Sequence, residues 1–234
     1  MDVLLLRLDA PLMSFGGVII DQHNFTERFP GVSLLTGLFA NALGYSHGEA
    51  EHLQALQTRI VYAARWDVPP EVIVDYHTVD LGQPKLVDTG WTTRGQREDR
   101  KGGTASEGTH IRYRHYLANG VMTLAMMLTG ADRPTLTELE QALRRPARPL
   151  FLGRKCCLPA APLVLGRVEA GNLKTALREA PRHARADPQS SLLARWPVSE
   201  GADKRGESLA VYDWRDWRNQ VHTGQRRMIE GLLP

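Results

Sequence analysis

The hydrophobic pattern alternates between strand and helix periods, fails for some thirty residues, and then resumes. Val3 to Leu8 is a short apolar run that predicts a buried strand. It ends at Asp9-Ala10-Pro11, and Phe15-Gly16-Gly17 follows as a turn with permissive backbone. Leu34, Leu35, Leu38, Phe39, Ala42 and Leu43 recur at helical spacing, with Ser33 placed to cap the helix and Gly44 to stop it. A second short helix is expected from Glu49 to Gln57. Arg59 to Trp66 and Val72 to Val79 read as strands on either side of Pro69-Pro70. From Asp80 to Thr109 neither period is sustained. Strand character returns at Ile111 to Leu117, Asn119-Gly120 signals a hairpin, and Val121 to Leu128 reads as a strand buried on both faces. Thr135 and Glu138 form a capping box for a helix lined by Leu136, Leu139, Ala142 and Leu143. Phe151 to Lys155 reads as a short strand and basic turn.

The last third is less regular. Leu163 to Val168 suits a strand, Leu173 to Ala180 a short helix, and Ser208 to Trp217 a strand rich in aromatics. Arg218 to Pro234 reads as a basic, mobile end. The order strand, helix, strand, insertion, strand pair, helix, strand predicts an α+β chain built on a ferredoxin-like (RRM-like) domain. Residues 1–155 would form that domain, with an insertion at about 80–109, and 156–234 a small, β-rich C-terminal region. The Gly-aromatic signature of RNA-recognition domains is absent, so RNA binding by base stacking on the sheet is not expected.

Composition narrows the class. The 234 residues, 42% hydrophobic and 24% charged, suit a globular chain. A net charge of +3 hints only mildly at a polyanionic partner. Cys156 and Cys157 are adjacent, a poor geometry for a relaxed disulfide, and have no nearby ligand partners for zinc. No secretion signal or membrane span is apparent, so a cytoplasmic protein without cofactor or metal is expected.

Candidate chemistry concentrates in the irregular stretch. Arg94, Arg97, Arg100 and Lys101 lie among Gly95, Gly102 and Gly103, with Glu98 and Asp99 between them. Cations flanked by glycine can approach phosphate closely. Just beyond, His110, Arg112 and Arg114 fall on one face of a strand, with Trp91, Tyr113 and Tyr116 nearby. A solvated charged loop fits the same composition. Arg28 and Ser33 flank a helix start that suits an anion, and Gly153-Arg154-Lys155 is a third basic turn. Tyr76, His77, Lys101, His110 and His115 could furnish the acid and base of a metal-independent ribonuclease. No HExxH, paired CxxC or GxSxG motif is present.

The ordered set resembles the CasD family of the RAMP superfamily. The matching stretches are Leu4-Leu5-Leu6-Arg7-Leu8, Phe15-Gly16, Arg28-Phe29-Pro30, Leu34-Leu35 with Gly37-Leu38, Leu43-Gly44 and Leu53-Gln54-Ala55-Leu56. Asp75-Tyr76-His77-Thr78-Val79, Gly95 with Arg97-Glu98-Asp99, Arg114 with Tyr116-Leu117, and Leu152-Gly153-Arg154-Lys155 with Cys157 continue it. Coverage runs from about residue 3 to 168. CasD proteins are subunits of Cascade, the type I-E CRISPR surveillance complex. The resemblance implies a non-catalytic subunit that caps the 5′ handle of the crRNA. Its thumb would lie near the backbone subunit, and it would dock the large subunit, meeting target DNA only through the complex. It implies handle contacts at Phe15, Gly16, Arg28, Ser33, Arg97, Gly153, Arg154 and Lys155. Thumb or thumb-base cations would be Arg94, Arg100, Lys101, His110, Arg112 and Arg114. Between Leu81 and Arg94 the chain departs from the family, adding Gln83-Pro84 and Trp91. Relatives in type I-C systems are endoribonucleases that process precursor crRNA, which makes that activity the alternative.

Overall fold

A computed structural model describes residues 1–17, 19–20, 22–80, 90–91, 97–98, 109–201 and 206–234. The chain is mixed α/β with sheets dominant. Its centre is β1 (Asp2–Asp9), β5 (Ile60–Val68), β10 (Val121–Leu128) and β11 (Val164–Glu169), in the order β11-β1-β10-β5, every neighbour antiparallel. Two helices, α1 (Val32–Leu43) and α2 (Ala50–Arg59), connect β1 to β5, and α3 (Leu136–Arg144) connects β10 to β11.

The central strands are apolar on both faces because both faces are covered. Leu4, Leu6, Tyr62, Trp66, Leu124 and Met126 pack beneath α1, α2 and α3, together with Leu35, Phe39, Leu53, Leu56 and Leu139. The alternate positions Val3, Leu5, Ala63 and Ala125 pack against Leu173, Ala176 and Leu177 of α4 (Leu173–Glu179). Small residues on this second face let the short helix lie close to the sheet.

The same sheet continues into the C-terminal third. β12 (Leu192–Pro197) pairs with β5 and with β16 (Arg226–Leu233), and β16 pairs with β13 (Glu207–Val211). The expected mobile end is therefore corrected, since residues 226–233 form an interior strand of a seven-stranded sheet. Met228, Ile229 and Leu233 are buried there. Its apolar set is interrupted by Arg227, Glu230 and Gly231, which hid its strand character in the sequence. A small hairpin of β14 (Arg215–Asp216) and β15 (Val221–His222) precedes it.

A second sheet is built on the two strands that flank the insertion. β6 (Glu71–Asp80) pairs along its length with β9 (Thr109–Ala118). The other side of β9 takes β2 (Leu12–Met13) and β4 (His23–Asn24), and β4 pairs with β3 (Ile19–Ile20). Within the insertion β7 (Gly90–Trp91) pairs with β8 (Arg97–Glu98). Asn119-Gly120 is not the hairpin turn its sequence suggested. β9 and β10 belong to different sheets, so these residues make a corner, with Asn119 at φ 57°. A Cβ on Gly120 would lie 2.7 Å from the Trp66 ring, which explains glycine there. The expected short strand at 151–155 is instead an irregular turn.

Candidate functional site

Four segments distant in sequence meet beside the second sheet. They are the 14–17 turn, β4, β9 and the 152–157 turn. Ser14 N–H donates to the Leu152 carbonyl (3.0 Å), and Leu152 N–H donates to Cys157 O (2.8 Å). Gly153 has φ +105°, and a Cβ there would fall 1.6 Å from Ser14 O, so only glycine permits this approach. Arg154 then reaches across. It donates to His115 O (3.0 Å) and Asn24 O (3.1 Å), and its guanidinium covers the Tyr116 ring at 4.6 Å. Arg154 thus ties the turn to β4 and β9, a role its sequence context did not reveal. Lys155 is exposed beside it.

Burial controls the chemistry of this turn. It raises the Tyr116 hydroxyl, aided by a hydrogen bond with Cys156. Burial and the neighbouring Cys156 push the Cys157 thiol up to about 12. Cys157 is a core residue, whereas Cys156 is exposed.

On β9 the period of two sorts side chains by face. Arg112, Arg114 and Tyr116 share one face, and across the pair His77 opposes Arg112 while Asp75 opposes Arg114. His77 Nε2 and Asp75 Oδ2 are 2.6 Å apart. The acid at Asp75 moderates a face that composition alone marked as purely basic. The other face carries aromatics that sequence reasoning left unassembled. His23 stacks on Tyr113 (4.8 Å between centroids) and on Phe25 (5.7 Å), and Phe25 meets His115 (4.7 Å). Only the parallel pairing of β4 with β9 brings His23 to Tyr113.

The remaining expected residues divide. Gly16 has φ +79°, and its carbonyl accepts from Glu27 N–H (2.7 Å), which sets Arg28 next to the turn. Arg28 is 61% exposed and pairs with Glu230 at 3.1 Å. Phe15 is not on the surface. It is 4% exposed and packs on Trp66 at 6.1 Å. Ser33 does not cap α1, whose cap position is Gly31. The Asp213 carboxylate accepts from Val32 N–H (2.7 Å), and its carbonyl accepts from Ser33 N–H (3.2 Å). Asp213 also takes a forked ion pair from Arg226, whose second nitrogen donates to Tyr62 OH (2.5 Å). The helix N-terminus expected to receive an anion already holds an internal one.

Arg94, Arg100 and Lys101 lie outside the described residues, as do the side chains of Arg97 and His110. The proposed acid and base residues are distributed over two faces. Tyr76 and His77 are neighbours on β6 and point oppositely, and His115 shares the Tyr76 face. Among the described residues no group of three or more His, Cys, Asp or Glu is arranged to hold a metal, and no helix is long and apolar enough to cross a membrane.

Comparison with known proteins gives concordant results. The family model described as CRISPR-associated protein (Cas_Cas5) matches residues 3–229. The CRISPR system Cascade subunit CasD of Escherichia coli (strain K12) is 34% identical over 195 residues, spanning 83% of this chain and 77% of that protein. A solved structure titled CRISPR RNA-guided surveillance complex superposes with a TM-score of 0.72 at 26% identity, covering 99% of this chain and 91% of that one. A crystal structure of a Cas protein gives 0.67 at 26% identity, covering 99% and 95%.

Proposed function

The chain belongs to the CRISPR-associated Cas5 family, and on that premise we propose that it is the crRNA-binding subunit of a type I-E Cascade complex, where it caps the 5′ handle of the guide. The observation that carries this is the 34% identity to a Cascade subunit across 83% of the chain. The order β11-β1-β10-β5, with helices after the first and third of these four strands in chain order, β1 and β10, supports a ferredoxin-like core. In this reading the core, with a thumb at about 80–109, runs through β11 to about residue 169, because the boundary expected at 155 would cut off the core's fourth strand. The residues beyond are a C-terminal region that extends the core's sheet.

The handle is gripped where the 14–17 turn, β9 and the 152–157 turn meet. Lys155 and Arg28 supply exposed charge, and Arg112 and Arg114 supply the thumb base. Gly16, with nothing within 4 Å of where a Cβ would stand, admits phosphate close to the backbone, while Gly153 acts by letting Ser14 approach the turn. Arg94, Arg97, Arg100, Lys101 and His110 are the thumb's contribution. Arg154 positions the turn, and Phe15 and Ser33 act through the backbone they shape. The subunit works in the cytoplasm, binds without cleaving, and contacts the backbone and large subunits.

Co-expression with a guide array and the neighbouring subunits tests this. The purified assembly should carry guide RNA, and Lys155→Glu with Arg114→Glu should strip the RNA from this subunit. RNA retention by the double variant would remove these residues from the interface. Cleavage of repeat RNA by the isolated chain in EDTA, lost in His77→Ala, would replace binding by the endoribonuclease reading.

A further inference from the structure

β6 is an edge strand of unusual character. Among the described residues its only partner is β9, leaving one row of backbone N–H and C=O groups open. Natural edge strands are usually protected by lysine, proline, bulges or brevity. β6 runs ten residues in continuous register and contains neither lysine nor proline. Val72, Val74 and Tyr76 are 65%, 52% and 54% exposed on one face. Glu71, Ile73, Asp75 and His77 lie on the other face, where Ile73 is exposed and the half-exposed Asp75 sits 2.6 Å from His77.

We infer that the open edge of β6 is a strand-addition site for a partner protein, taken up by an extended segment that alternates apolar and basic side chains. The parity of the strand dictates this occupant. A segment pairing with β6 places alternate residues beside Val72, Val74 and Tyr76, where apolar groups gain burial. Its intervening residues fall beside Glu71, Ile73 and Asp75, where a cation's head reaches an acid and its alkyl stem covers Ile73. β6 carries no arginine or lysine of its own, so a second copy offers only His77 to those acids. RNA fits poorly, because the edge presents acids and the aromatic faces nearby are already stacked on one another. The inference is independent of the handle-binding reading.

The test uses the full chain purified alone, followed by hydrogen exchange with mass spectrometry. The probe is an acetylated, amidated octapeptide of alternating valine and lysine, compared with its valine–glutamate counterpart. The valine–lysine peptide should slow exchange within residues 71–80 by about tenfold when it stands roughly nine times above its Kd. Val72→Lys with Val74→Lys should abolish this protection. Glu71→Lys with Asp75→Lys should transfer it to the valine–glutamate peptide, a swap that a folding defect cannot produce. Absence of protection, equal protection by both peptides, or protection by single-stranded RNA instead would overturn the inference. Protection that rises with protein concentration alone would assign the edge to a second copy. No RNA is required, so failure here leaves the handle reading standing, and failure of that reading leaves this one.

Discussion

Gly153→Ala isolates the geometry on which the candidate site rests. The new Cβ would lie 1.6 Å from Ser14 O, against about 3.4 Å for ordinary contact, so the two segments must separate by about 1.8 Å. The 3.0 Å bond from Ser14 N–H to Leu152 O does not survive that opening, nor does the reach of Arg154 to Asn24. Two hydrogen bonds cost about 1 kcal/mol each, and a side chain at positive φ costs roughly 1–2 kcal/mol. The total is about 3–4 kcal/mol. In a chain of this size each kcal/mol moves Tm by about 2–4 °C, so Tm should fall by about 6–16 °C. Gly37→Ala is the control, because nothing lies within 4 Å of its Cβ and it sits inside α1. It should gain about 0.5–1 kcal/mol. Differential scanning calorimetry of the two variants decides. A Gly153→Ala protein that melts within 2 °C of wild type, a shift of under about 1 kcal/mol, would refute the packing described for the turn.

Other outcomes follow from the same contacts. Asp213→Ala removes the α1 cap and leaves Arg226 largely buried without its partner. It should cost about 3–5 kcal/mol, read as a fall in denaturant midpoint. At pH 8, Ellman's reagent should titrate one thiol in the native protein and two after unfolding, because burial holds Cys157 protonated until about pH 12. The folded value lies above the ordinary one. The protonated thiol's contribution to stability is therefore intact below about pH 8.5 and lost as pH climbs toward 12. Lys155→Glu should leave Tm unchanged while lowering the salt slope of RNA binding by about 0.7, one phosphate contact on a single strand.

Several local signals in the sequence held. The capping box at Thr135 and Glu138 is present with both of its hydrogen bonds, and α1 stops at Gly44 with φ 87°. Double-faced burial of Val121–Leu128 follows from a continuous apolar run. What escaped the sequence depends on contacts between distant residues. Asp213 caps a helix 181 positions away. Residues 226–233 become a strand because β12 and β13 flank them. Asn119-Gly120 has hairpin chemistry, yet β9 pairs with β6 and β10 pairs with β1 and β5, so the strands on each side already have other partners. At the site, the glycines at 16 and 153 and the cations of β9 were legible as residue types. The clamp made by Arg154, the burial of Phe15 and the stacked His23, Phe25 and Tyr113 were not, because each needs two segments brought together.

The most direct measurement is ultraviolet crosslinking of the assembly purified after co-expression with a guide array. The crosslinked nucleotides are sequenced and the crosslinked peptides identified. Uniform 5′ handle nucleotides joined to this chain, at peptides from the thumb or from 152–157, are the expected result. Handle nucleotides joined only to other subunits, or RNA without a defined 5′ end on this chain, would contradict the account.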